Sequence, residues 1–296
     1  MSELSLKLPD GNQLQIEKGQ TYADAVRQIG EGLLRNALAV TVDGVHHPLV
    51  EEVTTGGDML VITRSADEGL DTLRHSTAHL MAWAVSDLFP GVKFAFGPDI
   101  ENGFYYDFDR EEPFTEEDLE KIEKRMKELA KQKVAIERTE VSKAEAREMF
   151  KDQPYKLEQI ESLGDEQLSI YRMGGFTDLC EGPHVPGTGD LKAFKLLSLA
   201  GAYWKGDSDN PMLQRIYGTS FFKKKDLDAH LQMLEEAKKR DHRKLGRELD
   251  LFGIMEDAGP GLSYWFPRGD ILREQIIDYW KKIHRAHGYE TVTTPH

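Results

Sequence analysis

At Thr21 with Asp24, Thr115 with Asp118, and Ser142 with Glu145, a hydroxyl residue is followed three positions later by an acid, ahead of a run with helical apolar spacing. Each pair can satisfy two backbone donors that a helix start leaves open, so each predicts a helix beginning at once. Around these starts the apolar residues alternate instead, as half-buried strands require. Leu4, Leu6 and Leu8 alternate, Pro9-Asp10-Gly11 turns, and Leu14 and Ile16 resume the alternation. Helix starts set among short period-two runs place the chain in the α+β class. Its 296 residues, at roughly 100–200 per domain, make two or three domains.

Residues 1–63 read as one small unit. After the first hairpin come a helix with Ala25, Val26, Ile29 and Leu33 on one face, a hairpin through Ala39–Val42, Asp43-Gly44 and Val45, and a strand at Asp58–Ile62. That is the order of a ubiquitin-like β-grasp. The unit holds 9 acidic and 4 basic residues, which suits a docking module better than an electrostatic clamp. Residues 64–222 read as a second α+β unit. It opens with a helix over Asp71–Phe89, stopped by Pro90-Gly91, and continues with strands Val92–Phe96 and Phe104–Phe108 flanking Asn102-Gly103. Leu119, Ile122, Met126 and Leu129 mark the buried stripe of the next helix. Strands at Val134–Val141 and Leu168–Met173 follow, and Gly174-Gly175 leads to Cys180.

Residues 223–247 carry nine basic and five acidic side chains, a local +4 in a chain whose total is −14. Leu227, Leu231 and Leu234 keep helical spacing, so the segment reads as a linker helix. It is either a solvated face or an arm that touches nucleic-acid phosphates through Lys238, Lys239 and Arg240. In residues 248–296, Gly259-Pro260-Gly261 marks a turn, and Pro267 and Gly269 precede a helix bearing Ile271, Leu272, Ile276, Trp280 and Ile283. Gly288 ends it, and Tyr289–Thr293 reads as a strand before Pro295. One helix and one strand cannot close a core, so these residues are expected to be an incomplete domain or to need a partner surface.

With 39% hydrophobic and 30% charged residues, a wholly disordered chain is excluded. No apolar run approaches the roughly 20 residues of a membrane span, and the first residues lack the basic-then-apolar pattern of a signal peptide. A cytoplasmic chain without membrane partners is expected. The acidic total weighs against a generic nucleic-acid coat but leaves room for a local basic surface. The single cysteine, Cys180, excludes an intrachain disulfide and raises the question of catalysis or metal.

Two short segments carry the chemistry. In His75-Ser76-Thr77-Ala78-His79 the imidazoles are four apart on a helix and share a face. In Cys180-Glu181-Gly182-Pro183-His184 the same spacing falls in a loop. Three histidines and one thiol match the ligand count of a Zn²⁺ site. They equally match a hydrolytic centre in which imidazoles orient water. Asp178 is placed to accept an imidazole N–H and so select a tautomer. Tyr105 and Tyr106 fall on opposite faces of a strand, so one can be core while the other reaches a cleft. Lys156 can bind a phosphate or carboxylate, and Gly97-Pro98 marks a turn. No glycine loop runs into Lys-Ser/Thr, so a phosphate-loop nucleotide site is unsupported.

Together these residues resemble the bacterial-type threonyl-tRNA synthetases. The two Cys/His segments are similar to the two histidine motifs of that family's editing domain, the second of which alanyl-tRNA synthetases share. Asn102–Asp107, Gly201-Ala202-Tyr203-Trp204 and Gln214-Arg215-Ile216-Tyr217-Gly218 resemble segments of the same domain, and Arg240–Gly246 the family's entry to its catalytic domain. The last helix, strand and Pro295 resemble motif 1 of class II synthetases, and the opening β-grasp is the module with which the family begins.

The resemblance implies an ATP-dependent threonine–tRNA ligase that also hydrolyses mischarged seryl-tRNA. Its partners would be threonine tRNA, threonine and serine, and it would be a homodimer through residues 268–295. The ATP-contacting arginines and the zinc-held threonine pocket of the family lie beyond His296, so only editing is expected of this chain. It further implies His75, His79, Lys156, Asp178, Cys180 and His184 as catalytic, with Tyr106 and Gly97 against the substrate. Proofreading has a physical motive. One missing methyl discriminates serine from threonine by only about 1–3 kcal/mol, so a second site must supply the rest. A free-standing Cys/His metal hydrolase, or an RNA-binding module with a structural cluster, are the competing readings.

Overall fold

The computed structural model describes residues 4–164, 167–255 and 262–294. The chain divides into two compact units, Met1–Leu227 and Asp228–His296. It is a mixed α+β protein with several sheets.

In the first unit, strands β1 (Leu4–Lys7), β2 (Gln13–Ile16), β3 (Ala37–Val42), β4 (Val45–Pro48) and β5 (Gly57–Thr63) form one sheet in the order β2-β1-β5-β3-β4. β1 and β5 pair in parallel, while the other pairs are antiparallel. Helix α1 (Tyr22–Ile29) starts at the Thr21/Asp24 capping box, whose two reciprocal bonds are both made. Leu33, expected on that helix, lies on a separate turn, α2 (Glu31–Asn36), because Gly30 adopts an extended conformation between them. Leu6, Ile16, Tyr22, Val26, Val40 and Met59 make this sheet's core. Leu38 of β3 packs instead into the larger core that follows.

That larger core surrounds α3 (Asp67–Leu88), a helix of 22 residues of which fourteen are buried. A second sheet lies beside it. Its strands are β6 (Lys93–Phe94), β7 (Asp99–Ile100), β8 (Gly103–Asp109), β12 (Ala193–Tyr203) and β13 (Met212–Phe221), in the order β12-β13-β8-β6 with β7 also on β8. The strand expected over Val92–Phe96 is thus only two residues long. Between these strands run α4 (Glu116–Lys131), β9 (Ile136–Ser142), α5 (Lys143–Met149), α6 (Pro154–Ser162), β10 (Gln167–Met173) and β11 (Phe176–Leu179). The Thr115/Asp118 and Ser142/Glu145 boxes cap α4 and α5 as expected. β11, β10 and β9 form an antiparallel sheet of three. α6 has Pro154 in its first turn, where a missing N–H costs nothing.

The expected linker helix is two helices, α7 (Lys224–Lys239) and α8 (His242–Glu248). Asp241 breaks them: its carboxylate caps the second by accepting from the Arg243 amide at 2.8 Å. In the second unit, β14 (Phe252–Ile254) pairs with β15 (Ser263–Trp265), and α9 runs from Pro267 to Ala286. Pro267 and Gly269 therefore belong to the first turn of that helix rather than preceding it. Residues 289–294 form no strand. With no neighbouring strand among the described residues, their backbone has nothing to pair with. The expected turn Gly259-Pro260-Gly261 and Pro295 lie outside the described residues. No described helix is long and apolar enough to cross a membrane.

Candidate active site

His75 and His79 stand one turn apart on α3, with their Nε2 atoms 3.2 Å from each other. Cys180 and His184 come from the loop after β11. Cys180 Sγ lies 3.3 Å from His75 Nε2 and 3.3 Å from His184 Nε2. The four ligand atoms all fall within 4.8 Å of one another, so the two sequence pairs converge.

Ser76, next to His75, fastens the loop to the helix. Its hydroxyl donates to the Thr72 carbonyl at 2.8 Å and accepts from the Val185 amide at 3.0 Å. The same oxygen is 3.0 Å from His184 Nδ1. With the one hydroxyl proton on Thr72, His184 donates from Nδ1 and turns a bare Nε2 toward the thiol. Ser76 is thus a structural member of the site that its residue type alone does not announce. Its signal was the position itself, on the same helical turn as both histidines.

Asp178, at the end of β11, gathers the second half of the site. Tyr106 Oη donates to its Oδ2 at 2.6 Å, and His79 Nδ1 stands 3.5 Å from that oxygen. Lys156 Nζ is 2.5 Å from Oδ1. That contact is an ion pair rather than an aligned hydrogen bond, since Oδ1 has no hydrogen-bond partner among the described residues. Lys156 and Asp178 are only 3% and 2% exposed. Two charges this deep are tolerable because each neutralises the other.

Burial governs the protonation of the cluster. It pushes His75 down to about 4, and His79 and His184 well below the usual histidine range. It pushes the Cys180 thiol up to about 12. At neutral pH the cluster therefore holds three neutral imidazoles and an un-ionised thiol, a set that can accept a proton but offers no thiolate nucleophile.

The cluster opens into a cavity of about 790 Å³ whose wall includes His75, His79, Gly97, Lys156, Asp178 and Cys180. Two expected residues stand behind that wall. His184 is buried beyond Cys180, and Tyr106 is fully buried, reaching the cavity through Asp178. Gly97 explains the second case: a Cβ there would lie 2.0 Å from the Tyr106 ring, so only glycine lets the loop cover the tyrosine. Its neighbour Tyr105 points to the other face of β8 and stacks on Arg215, as the alternation requires. Lys238, Lys239 and Arg240 are exposed in the second unit and do not line this cavity. Glu236 pairs with Lys239 at 2.9 Å and Arg240 at 3.7 Å.

Residues 168–217 match the family described as the second additional domain of threonyl and alanyl tRNA synthetases. That stretch contains Asp178, Cys180 and His184. The whole chain is 50% identical to a threonine–tRNA ligase of Citrifermentans bemidjiense, covering 47% of that protein. It is 50% identical over its full length to the one from Staphylococcus saprophyticus, covering 46% of it. Over 98% of its length it is 52% identical to the one from Laribacter hongkongensis, again covering 46%. The chain thus spans about half the length of the curated relatives it matches. Over its whole length the chain is therefore similar to a part of these threonine–tRNA ligases.

Proposed function

We propose that this chain is the proofreading part of a threonine–tRNA ligase and that its cavity hydrolyses seryl-tRNA. The observation that carries the reading is one wall holding neutral imidazoles beside a buried, paired Lys156 and Asp178. The substrate is an ester of serine with the terminal ribose of threonine tRNA. Water adds to the ester carbonyl, the carbonyl–ribose oxygen bond breaks, and the ribose oxygen regains a proton as serine leaves. His75, on the wall and neutral, accepts the proton of the attacking water. His184 fixes Cys180 from behind. Asp178 holds the ammonium of the amino acid, and Lys156 sets the position of the ester. Cys180 acts as wall, since an un-ionised thiol is a poor nucleophile and so labile an ester needs none.

On this reading residues 1–63 are a β-grasp module, 64–222 the editing domain, 223–247 the linker, and 248–296 the start of the class II catalytic domain. Attachment of threonine with ATP, and the zinc that holds threonine for it, are work for the part of the relatives this chain does not cover. The whole enzyme is then a cytoplasmic homodimer whose linker meets tRNA phosphates through Lys238, Lys239 and Arg240.

A metal-assisted variant has one observation in its favour. Zinc bonds of ordinary length put tetrahedral ligand atoms about 3.3–3.6 Å apart; three of the separations here are 3.2, 3.3 and 3.3 Å, and all lie within 4.8 Å. His75, His79, Cys180 and His184 would hold such an ion, which would supply a Lewis acid. Ester loss that persists after chelation assigns the site to the imidazoles alone.

The test is to mix the chain with threonine tRNA carrying serine or threonine and follow ester loss. Serine is expected to leave much faster. His75→Ala with His184→Ala is expected to slow its release on the order of 10²–10⁴-fold. Equal loss of both esters would overturn the assignment.

A further inference from the structure

The wall of the cavity is not built from the editing segment alone. Gly44, Val45 and His46, from the hairpin of β3 and β4, also line it. His46 borders in addition a neighbouring cavity of about 370 Å³, and both cavities include His75 and Gly182 in their walls. The first sheet thus reaches the place where the ester is expected to bind.

The two histidines of β4 are used differently. Strand alternation turns them to opposite faces. His47 is fully engaged: its Nδ1 is 3.0 Å from the Glu51 carboxylate and its ring packs on Tyr22 at 4.8 Å. His46 Nδ1 is enclosed yet has no hydrogen-bond partner among the described residues. A buried N–H without an acceptor is rarer than an unsatisfied acceptor, so the proton of His46 is assigned to Nε2. Burial also pushes its pKa down, which keeps the ring neutral with that single donor.

The hairpin that carries His46 is firmly placed. Asp43 and Gly44 both have positive φ, 49° and 85°, the geometry of a tight two-residue turn that Asp-Gly favours. The Asp43 carboxylate then accepts from the Asp58 amide of β5 at 2.8 Å. A side chain on so well-anchored a hairpin, lining the cavity beside the cluster, is placed to meet a ligand.

We propose that His46 is a positioning residue of the deacylation site, donating from Nε2 to an acceptor oxygen of the substrate's terminal nucleotide, so that the first sheet completes the pocket. This rests on the deacylase reading above. The experiment is steady-state deacylation of seryl-tRNA by the intact chain, by His46→Ala and by His46→Gln, with thermal melting of each. His46→Ala is expected to raise KM about tenfold, the size of one lost hydrogen bond, with kcat little changed. His46→Gln, which keeps a side-chain donor, is expected to recover most of that loss. An unchanged KM in a folded His46→Ala protein, or a glutamine variant no better than alanine, would overturn the proposal. An unsubstituted chain that fails to release serine would instead overturn the deacylase reading itself.

Discussion

α3 and α9 are nearly the same length, 22 and 20 residues, and their fates differ. Fourteen residues of α3 are buried; of α9, only Gly269 is. Yet α9 is the more conventionally amphipathic, with Ile271, Ile276 and Trp280 exposed at 63%, 61% and 52%. α3 instead buries Arg74, Ser76, Thr77 and His79 along with its apolar residues. An apolar stripe therefore shows that a helix wants a cover, not that it has one. Polar residues on the buried part of a helix show that something there is worth the cost of desolvating them.

The largest expected effect lies beside α3. Lys156→Ala strands Asp178 as an unpaired buried carboxylate and is expected to destabilise the first unit by about 3–5 kcal/mol. Urea unfolding measures it, and a loss below 1 kcal/mol would mean the pair is better solvated than its burial says. Leu80→Ala, at a fully buried position of α3, is expected to cost about 2–5 kcal/mol. Ser76→Ala removes the acceptor for Val185 and for His184, at about 1–3 kcal/mol. It should slow deacylation more than it lowers the melting temperature. The smallest effect belongs to α9. Ile276→Ala is expected to change the stability of this chain by under about 0.5 kcal/mol. The same substitution in a full-length enzyme should weaken the proposed dimer, as read by sedimentation, and a stability loss in this chain equal to that of Leu80→Ala would erase the contrast between the helices.

Local chemistry was legible in the sequence wherever a few neighbouring residues decide the outcome. All three capping boxes are made, and the two i, i+4 pairs do meet. What was not legible depends on distant partners. Nothing near Lys156 announces that α6 will press it against Asp178, although Pro154 was a usable sign of a helix start. His46 lies 29 positions before His75, and only the packing of the first sheet makes them neighbours. The strand expected at Tyr289–Thr293 has the right composition, but β-propensity is realised only against a pairing neighbour.

Ser76 also has a consequence in time. Its bonds to His184 and Val185 span 108 and 109 positions of the chain, and the contact of Cys180 with His75 spans 105. At a synthesis rate of about 5–20 residues per second, the loop leaves the ribosome roughly 5–20 s after the helix it must join. During that interval α3 carries its histidines and hydroxyls without the partners that will bury them. A nascent chain therefore carries an open Cys/His cluster until the loop docks.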